Sequence, residues 1–253
     1  MTRPTAIANT LLLTSLLLAT CLPCTAADEA DRTWGYRGEG GKTAPADWPG
    51  LCQTGPNQSP VNLTRNAASG EPADAIEFRY QPAVSEVLNN GHAIEVKNVA
   101  GTIEVAKVQY QLCGLHFHTP SEHTRDNVGA PAEVHFVHQE TCGDTKGWLV
   151  VGALIEPASH EHPGNRTLAA YLAKLRSLPA STPELNPQSI LPASGYIQYP
   201  GSLTTPGCGG PVNWFVAREP IYLDRTTLDR LRALYPNNAR PGQALGDRKL
   251  RGF

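Results

Sequence analysis

TIEVAKVQYQLCGLHFH, residues 102–118, and AEVHFVHQ, residues 132–139, carry the alternation of β-branched or aromatic with polar residues that marks strands. Side chains two apart on a strand point to one face. His116 and His118 therefore share a face, with Phe117 on the other. In the second stretch Glu133 and His135 share a face, while Val134 and Phe136 take the opposite one. If the two strands are neighbours, three imidazoles can meet at a tetrahedral centre with its fourth position open, the ligand count of a catalytic zinc site. The spacing alone also allows a mixed polar sheet face, or a single catalytic histidine. Adjacent buried imidazoles without a ligand would be costly.

Outward from these segments the chain reads as more of the same. DAIEFRY, HAIEVKNV, GWLVVGALIE and VNWFVA all have strand character, and glycines and prolines punctuate them. Two helices are expected. TLAAYLAKLRSL places Leu168, Leu172 and Leu175 at helical spacing, and TTLDRLRALY is stopped by Pro236, with Thr226 and Asp229 spaced as a capping box. The fold class is mostly β with a few short helices.

At 253 residues, 40% hydrophobic and 17% charged, the chain suits one large domain, and neither repeat nor linker divides it. A net charge of −2 with interspersed signs offers no basic stripe for nucleic acid and no polybasic membrane patch, so a small-molecule partner is expected. Arg3, the apolar run TLLLTSLLLAT and the small residues of CTAAD have the three zones of a secretory signal peptide. The run is too short to span a bilayer comfortably. Cleavage is expected after Ala27, leaving 28–253 as the domain; lipoprotein acylation at Cys21 is the alternative. Export to an oxidising compartment makes disulfides the default for Cys52, Cys113, Cys142 and Cys208, with three pairings open. Cys21 and Cys24 resemble a CxxC redox pair but fall in the expected leader.

Further segments carry a specific resemblance. WGY (34–36), QSPVNL (58–63), NNGHAIEV (89–96), HFHTPSEHT (116–124), AEVHFVH (132–138), YPGSLTTPG (199–207), VNWFV (212–216) and NNARPGQ (237–243) occur in the order in which similar motifs occur in the α-class carbonic anhydrases. The resemblance implies one domain on a large, twisted, predominantly antiparallel sheet. It also implies a zinc enzyme that reversibly hydrates carbon dioxide to bicarbonate through zinc-bound hydroxide.

Residue by residue, His116, His118 and His135 match the family's zinc ligands. Thr204 matches the threonine that accepts a hydrogen bond from the hydroxide, and Glu122 the glutamate that holds its hydroxyl; a threonine has one proton to give, so its lone pairs then face the reacting oxygen. Glu133 matches the carboxylate that fixes a ligand's tautomer. His92 matches the proton shuttle, a task suited to imidazole, and Tyr36 and Asn90 the residues that hold the intervening waters. Val137, Val150, Leu203, Val212 and Trp214, with Thr205, match the substrate wall; each apolar one would otherwise be plain core. Cys52 and Cys208 match the family's disulfide. His123 and His138 are expected to be hydrogen-bonded structural residues, and His160 and His162 to lie on the surface.

Two positions depart from the family pattern: Cys113 where the wall commonly has an aliphatic residue, and Gly114 where many relatives place a polar one. Thr119, Pro120 and Ser121 follow a shorter, bacterial-looking loop, which together with the leader points to a Gram-negative periplasm or secretion. Two rival functions are a zinc-free interaction domain, against which the intact histidines argue, and a metal buffer or hydrolase of unrelated fold. The sequence leaves the oligomeric state open, a homodimer included, and does not decide whether Cys113 and Cys142 pair.

Overall fold

The computed structural model describes residues 34–38, 42–174, 180–192 and 195–253. The expected leader with Cys21 and Cys24, and Leu175 of the first helix, lie outside them. In chain order the strands are β1 (Asn62–Leu63), β2 (Ile76–Gln81), β3 (Ala83–Asn89), β4 (Ile94–Lys97), β5 (Ala100–Val105), β6 (Val108–His118) and β7 (Thr124–Arg125). They continue as β8 (Val128–Gly129), β9 (Ala132–Gln139), β10 (Trp148–Pro157), β11 (Ala180–Leu185), β12 (Tyr196–Gly201), β13 (Val212–Ala217) and β14 (Ile221–Leu223). Eleven of them form one sheet whose main path runs β11-β3-β4-β6-β9-β10-β13-β12. Its pairings are antiparallel except where β13 and β14 meet β10, so the expected large, mainly antiparallel sheet is present.

Strand β9 is central to this path and is buried along nearly its whole length. Its even-numbered face joins the larger core, where Val134 and Phe136 pack with Leu115, Phe117, Leu149 and Phe215. A smaller cluster, including Val150, Val212 and Trp214, forms elsewhere. Both helices lay apolar residues against the larger core: Leu168 and Leu172 from Arg166–Ala173, and Leu228 and Leu231 from Arg225–Leu234. This one-sided burial is what stabilises helices so short.

Two local expectations need correction. The run 102–118 is two strands, because Ala106 and Lys107 both take positive φ (50° and 68°) and turn β5 back onto β6; two successive positive φ values make the type I′ hairpin turn. The second helix is capped by Asp224, whose carboxylate accepts the Thr227 N–H at 2.9 Å and its hydroxyl at 2.6 Å. Thr226, expected at the cap, is inside the helix. Asp224 wins because an N-cap carboxylate satisfies an otherwise orphaned N–H in the first turn.

Candidate metal centre and active site

Strands β6 and β9 lie side by side with His116 opposite His135 and His118 opposite Glu133. Residues paired across antiparallel strands share a face, so the three imidazoles converge. One ring nitrogen from each of His116, His118 and His135 lies within 4.8 Å of the others. His118 and His135 are buried, at 1% exposure each, whereas His116 is only part-buried.

The tautomers of two of them follow from their partners. His118 Nδ1 donates to the Asn238 carbonyl at 2.7 Å, leaving the Nε2 lone pair directed inward. That Nε2 is buried and has no hydrogen-bond partner; the same holds for Glu122 Oε2, 3.5 Å away. His135 Nε2 donates to Glu133 Oε1 at 2.8 Å, which leaves its Nδ1 as the free donor atom. Among the described residues His116 makes no hydrogen bond of this kind. Its cross-strand neighbour is Glu95, and two residues before it stands Gly114, with no side chain to offer.

Glu133 accepts four hydrogen bonds. Its Oε2 accepts the N–H groups of Glu122 and His123, both at 2.8 Å, and its Oε1 accepts His123 Nδ1 at 2.7 Å as well as His135. Burial alone would raise its pKa. His123 and His135, through charge and hydrogen bonds, hold it well below the usual range. His123 continues outward through Nε2, which accepts from the Tyr199 hydroxyl at 2.6 Å; that oxygen in turn meets Ser59 Oγ at 3.0 Å. Gly152 sits opposite His135 on β10, where a Cβ would come within 3.1 Å of Glu133 Oε1, so a bare backbone makes room for the carboxylate.

Electrostatics favour neutral imidazoles. Burial lowers the pKa of His118 to about 4, and burial with the neighbouring His118 and His135 takes His116 well below 6.5. His135 is lowered too, chiefly by burial, although Glu133 pulls it up. Glu122 is pushed up to about 7 by burial, against the lowering effects of His135, the Arg240 N–H and the Thr204 hydroxyl. The Arg240 N–H reaches Glu122 Oε1 at 2.8 Å.

The other expected residues fall around this centre. Val137 is paired with Val150, and Val150 with Trp214; Val212 and Leu203 belong to the same apolar cluster. Thr204 is buried and Thr205 part-buried, in the segment that Cys208 closes. His92, 7% exposed, stacks on Trp34 with ring centroids 3.7 Å apart. Tyr36 packs edge-on against Trp34 and Trp48. The Asn90 side chain is engaged in its own turn, accepting the N–H groups of His92 and Ala93 and donating to Glu95. Cys52 and Cys208 are bonded, and so are Cys113 and Cys142. His138 is buried between Tyr80 and the Leu149 carbonyl, while His160 and His162 are exposed, the latter stacked on Tyr222.

Two residues were given no role by the sequence reading. Asn238 holds His118, receives the Thr119 N–H, and donates to the carbonyls of His92 and Phe117. Arg240 joins Glu122 to Gln58, Ser59 and Cys52. Both lie in NNARPGQ (237–243), a segment quoted above for its resemblance alone.

The sequence model of the eukaryotic-type carbonic anhydrase family matches residues 43–252. The chain belongs to this family. A carbonic anhydrase of Neisseria gonorrhoeae is 34% identical over 251 residues, covering 93% of this chain and 94% of that protein. One from Pectobacterium atrosepticum is 31% identical, with 92% and 96% covered. Among solved structures, the α-carbonic anhydrase of Thermovibrio ammonificans in complex with sulfanilamide aligns with a TM-score of 0.75 at 31% identity, over 86% of this chain and 98% of that one. The α-carbonic anhydrase of Photobacterium profundum aligns at 0.74 and 33%, over 86% and 99%. As a carbonic anhydrase, the protein is an enzyme of reversible carbon dioxide hydration. Among the described residues no helix is long and apolar enough to cross a membrane.

Proposed function

We propose that this carbonic anhydrase works with zinc, which a ring nitrogen of His116, Nε2 of His118 and Nδ1 of His135 would hold. The observation that carries the proposal is the convergence of three ring nitrogens within 4.8 Å, one of them, His118 Nε2, buried without a hydrogen-bond partner. Orphaned buried atoms cost free energy unless something satisfies them, and a neutral imidazole set suits zinc. Bound there, zinc supplies a Lewis acid that activates water at neutral pH.

The protein's own groups do the rest. Glu133 and the Asn238 carbonyl fix the tautomers of His135 and His118, so that their lone pairs face inward. Thr204 gives its single proton to Glu122, which turns its lone pairs toward the reacting water and orients that water for attack. Val137, Val150, Leu203, Val212 and Trp214, with Thr205 at their edge, hold carbon dioxide against an apolar wall that bicarbonate, being charged, leaves readily. His92 takes the proton released in each turnover and passes it to buffer, with Tyr36 and Asn90 supporting the route. Residues 1–27 serve as a signal peptide delivering 28–253 to the periplasm or outside the cell, in keeping with two disulfides.

Metal analysis and stopped-flow hydration on the purified protein and its His135→Ala variant test the proposal. The parent is expected to hold one zinc per chain and hydrate carbon dioxide; the variant is expected to lose both. A variant with stoichiometric zinc and full turnover would overturn the ligand assignment.

A further inference from the structure

Strand β6 pairs with β9 in two registers. Gln111 faces Gln139 and Leu112 faces His138; past that point Gly114 faces Val137 and His116 faces His135. Between Leu112 and Gly114 one extra residue, Cys113, is inserted on β6, so that Cys113 and Gly114 together oppose Val137. This is a β-bulge.

The bulge reverses the alternation of the strand. Leu112 pairs with His138 and lies in the larger core, so even-numbered side chains point there. After the bulge Leu115 and Phe117 take over the core face, and His116 and His118 turn to the face of His135 and Glu133. Without the extra residue His116 would fall opposite Val134 and His118 opposite Ala132, on the core face. A one-residue slip moves every side chain to the other side of a sheet. The metal centre therefore exists only in the bulged register.

The inserted residue is covalently held. Cys113 is joined to Cys142, in the turn that connects β9 to β10. The half-cystine on the bulge is tied to the turn that leaves the very strand against which the register is counted, three residues past its end. Cys113 is part-buried and Cys142 exposed, and neither belongs to a core cluster of the described residues. Gly114 beside it lies close to β4, where a Cβ would stand 3.3 Å from the Val96 carbonyl oxygen.

We propose that the Cys113–Cys142 disulfide is a register pin: it holds the bulge that brings His116 and His118 to the face of His135, making Cys113 and Cys142 positioning residues for the metal. The proposal rests on the three-histidine zinc reading and adds to it a dependence on disulfide formation.

The test compares the zinc-loaded parent with a Cys113→Ser/Cys142→Ser double variant, which keeps Cys52–Cys208. Zinc release into an excess of chelator is followed at 25 °C, with thermal unfolding and amide hydrogen exchange of the metal-free forms measured alongside. Release is expected to accelerate at least threefold in the double variant, and exchange is expected to quicken at 112–116 while β12 and β13 stay protected. A smaller change in release overturns the pin, even with a lowered unfolding temperature, which a plain cross-link would also produce. A parent that binds no zinc overturns the metal reading itself, and the pin with it. Should the double variant not fold, the parent is compared before and after selective reduction of the exposed Cys113–Cys142 bond, with the same threefold criterion.

Discussion

The two faces of strand β9 differ by a single residue step and have opposite chemistry. Toward the core stand Val134, Phe136 and His138; toward the metal centre stand Glu133, His135 and Val137. Each face has one member of the other's kind. His138 lies in an apolar layer and is made tolerable by two close bonds, to the Tyr80 hydroxyl at 2.7 Å and the Leu149 carbonyl at 3.3 Å. Val137 lies among polar groups, where its register partners Val150 and Gly114 leave it as wall. What a side chain does here depends on the element across from it more than on its class. The core face tolerates any close packing of the right volume; the polar face works only if every donor has its acceptor.

The sharpest break in the comparison is Glu133→Gln. Four N–H groups converge on the two carboxylate oxygens. An amide keeps one oxygen and turns two new donors against donors already there. Zinc affinity should fall about 10–100-fold, and stability by about 1–3 kcal/mol, as for buried N–H donors left without an acceptor. Chelator competition and urea unfolding read the two losses; a variant unchanged in both would mean that the carboxylate organises nothing.

On the opposite face, Phe136→Ala removes a fully buried ring from the larger core. A cost of about 3–5 kcal/mol in unfolding free energy is expected. Zinc affinity at 25 °C should change less than threefold in the folded variant, because the Phe136 side chain lies on the opposite face of β9 from Glu133 and His135. Equal damage to both quantities would show that the faces are not separable.

These two positions also mark how far the sequence could be read. AEVHFVHQ and VNWFVA fall on β9 and β13 residue for residue, since alternation is a local property written in the strand itself. The turn at Ala106–Lys107 was invisible because neither residue type announces positive φ. The bulge at Cys113 was invisible for a different reason: an insertion on one strand is defined only against its partner. His116, His118 and His135 stood out by spacing, with Glu133 on the same face as His135, and the resemblance added the role of Glu133 and the place of Glu122. Asn238, 120 positions from His118, has no local pattern to connect it with that ring.

The polar exception on the core face yields a pH dependence. Burial lowers the pKa of His138 to about 3, against about 6.5 for an unfolded histidine. The unfolded chain thus takes up a proton below about pH 6.5 that the folded chain refuses until about pH 3. Stability from this group is complete above the unfolded pKa and is lost as pH falls through that window. His118 in the metal-free protein acts in the same direction down to about pH 4. Glu122, raised to about 7, acts oppositely and weakens the fold as pH rises from about 4.5 to 7. Replacing His138 by Gln isolates one contribution: between pH 6 and 4 the parent should lose about 2 kcal/mol more than the variant, measured by urea unfolding of both metal-free proteins. Parallel pH profiles would remove His138 from the acid response.

The smallest effect concerns a histidine outside both faces. His92 stands in the turn before β4, stacked on Trp34 and anchored through its backbone to Asn90 and Asn238. Its ring is not among the converging nitrogens, so its loss leaves the metal centre and the wall in place. If it carries protons out, His92→Ala should lower kcat about ten-fold at low buffer, roughly 1.4 kcal/mol, because kcat includes proton export. The ratio kcat/KM, which reports the encounter with carbon dioxide through bicarbonate release, should change little. Small imidazole buffers should restore much of the lost kcat by carrying the proton themselves. A packing role predicts something else, since removing a stacked ring would loosen Trp34 and its neighbours Tyr36 and Trp48, lowering both parameters and stability beyond any buffer's power to repair. Stopped-flow hydration of parent and variant across an imidazole series separates the two: equal falls in kcat and kcat/KM without rescue would assign His92 to the aromatic cluster and leave the proton route to be found elsewhere.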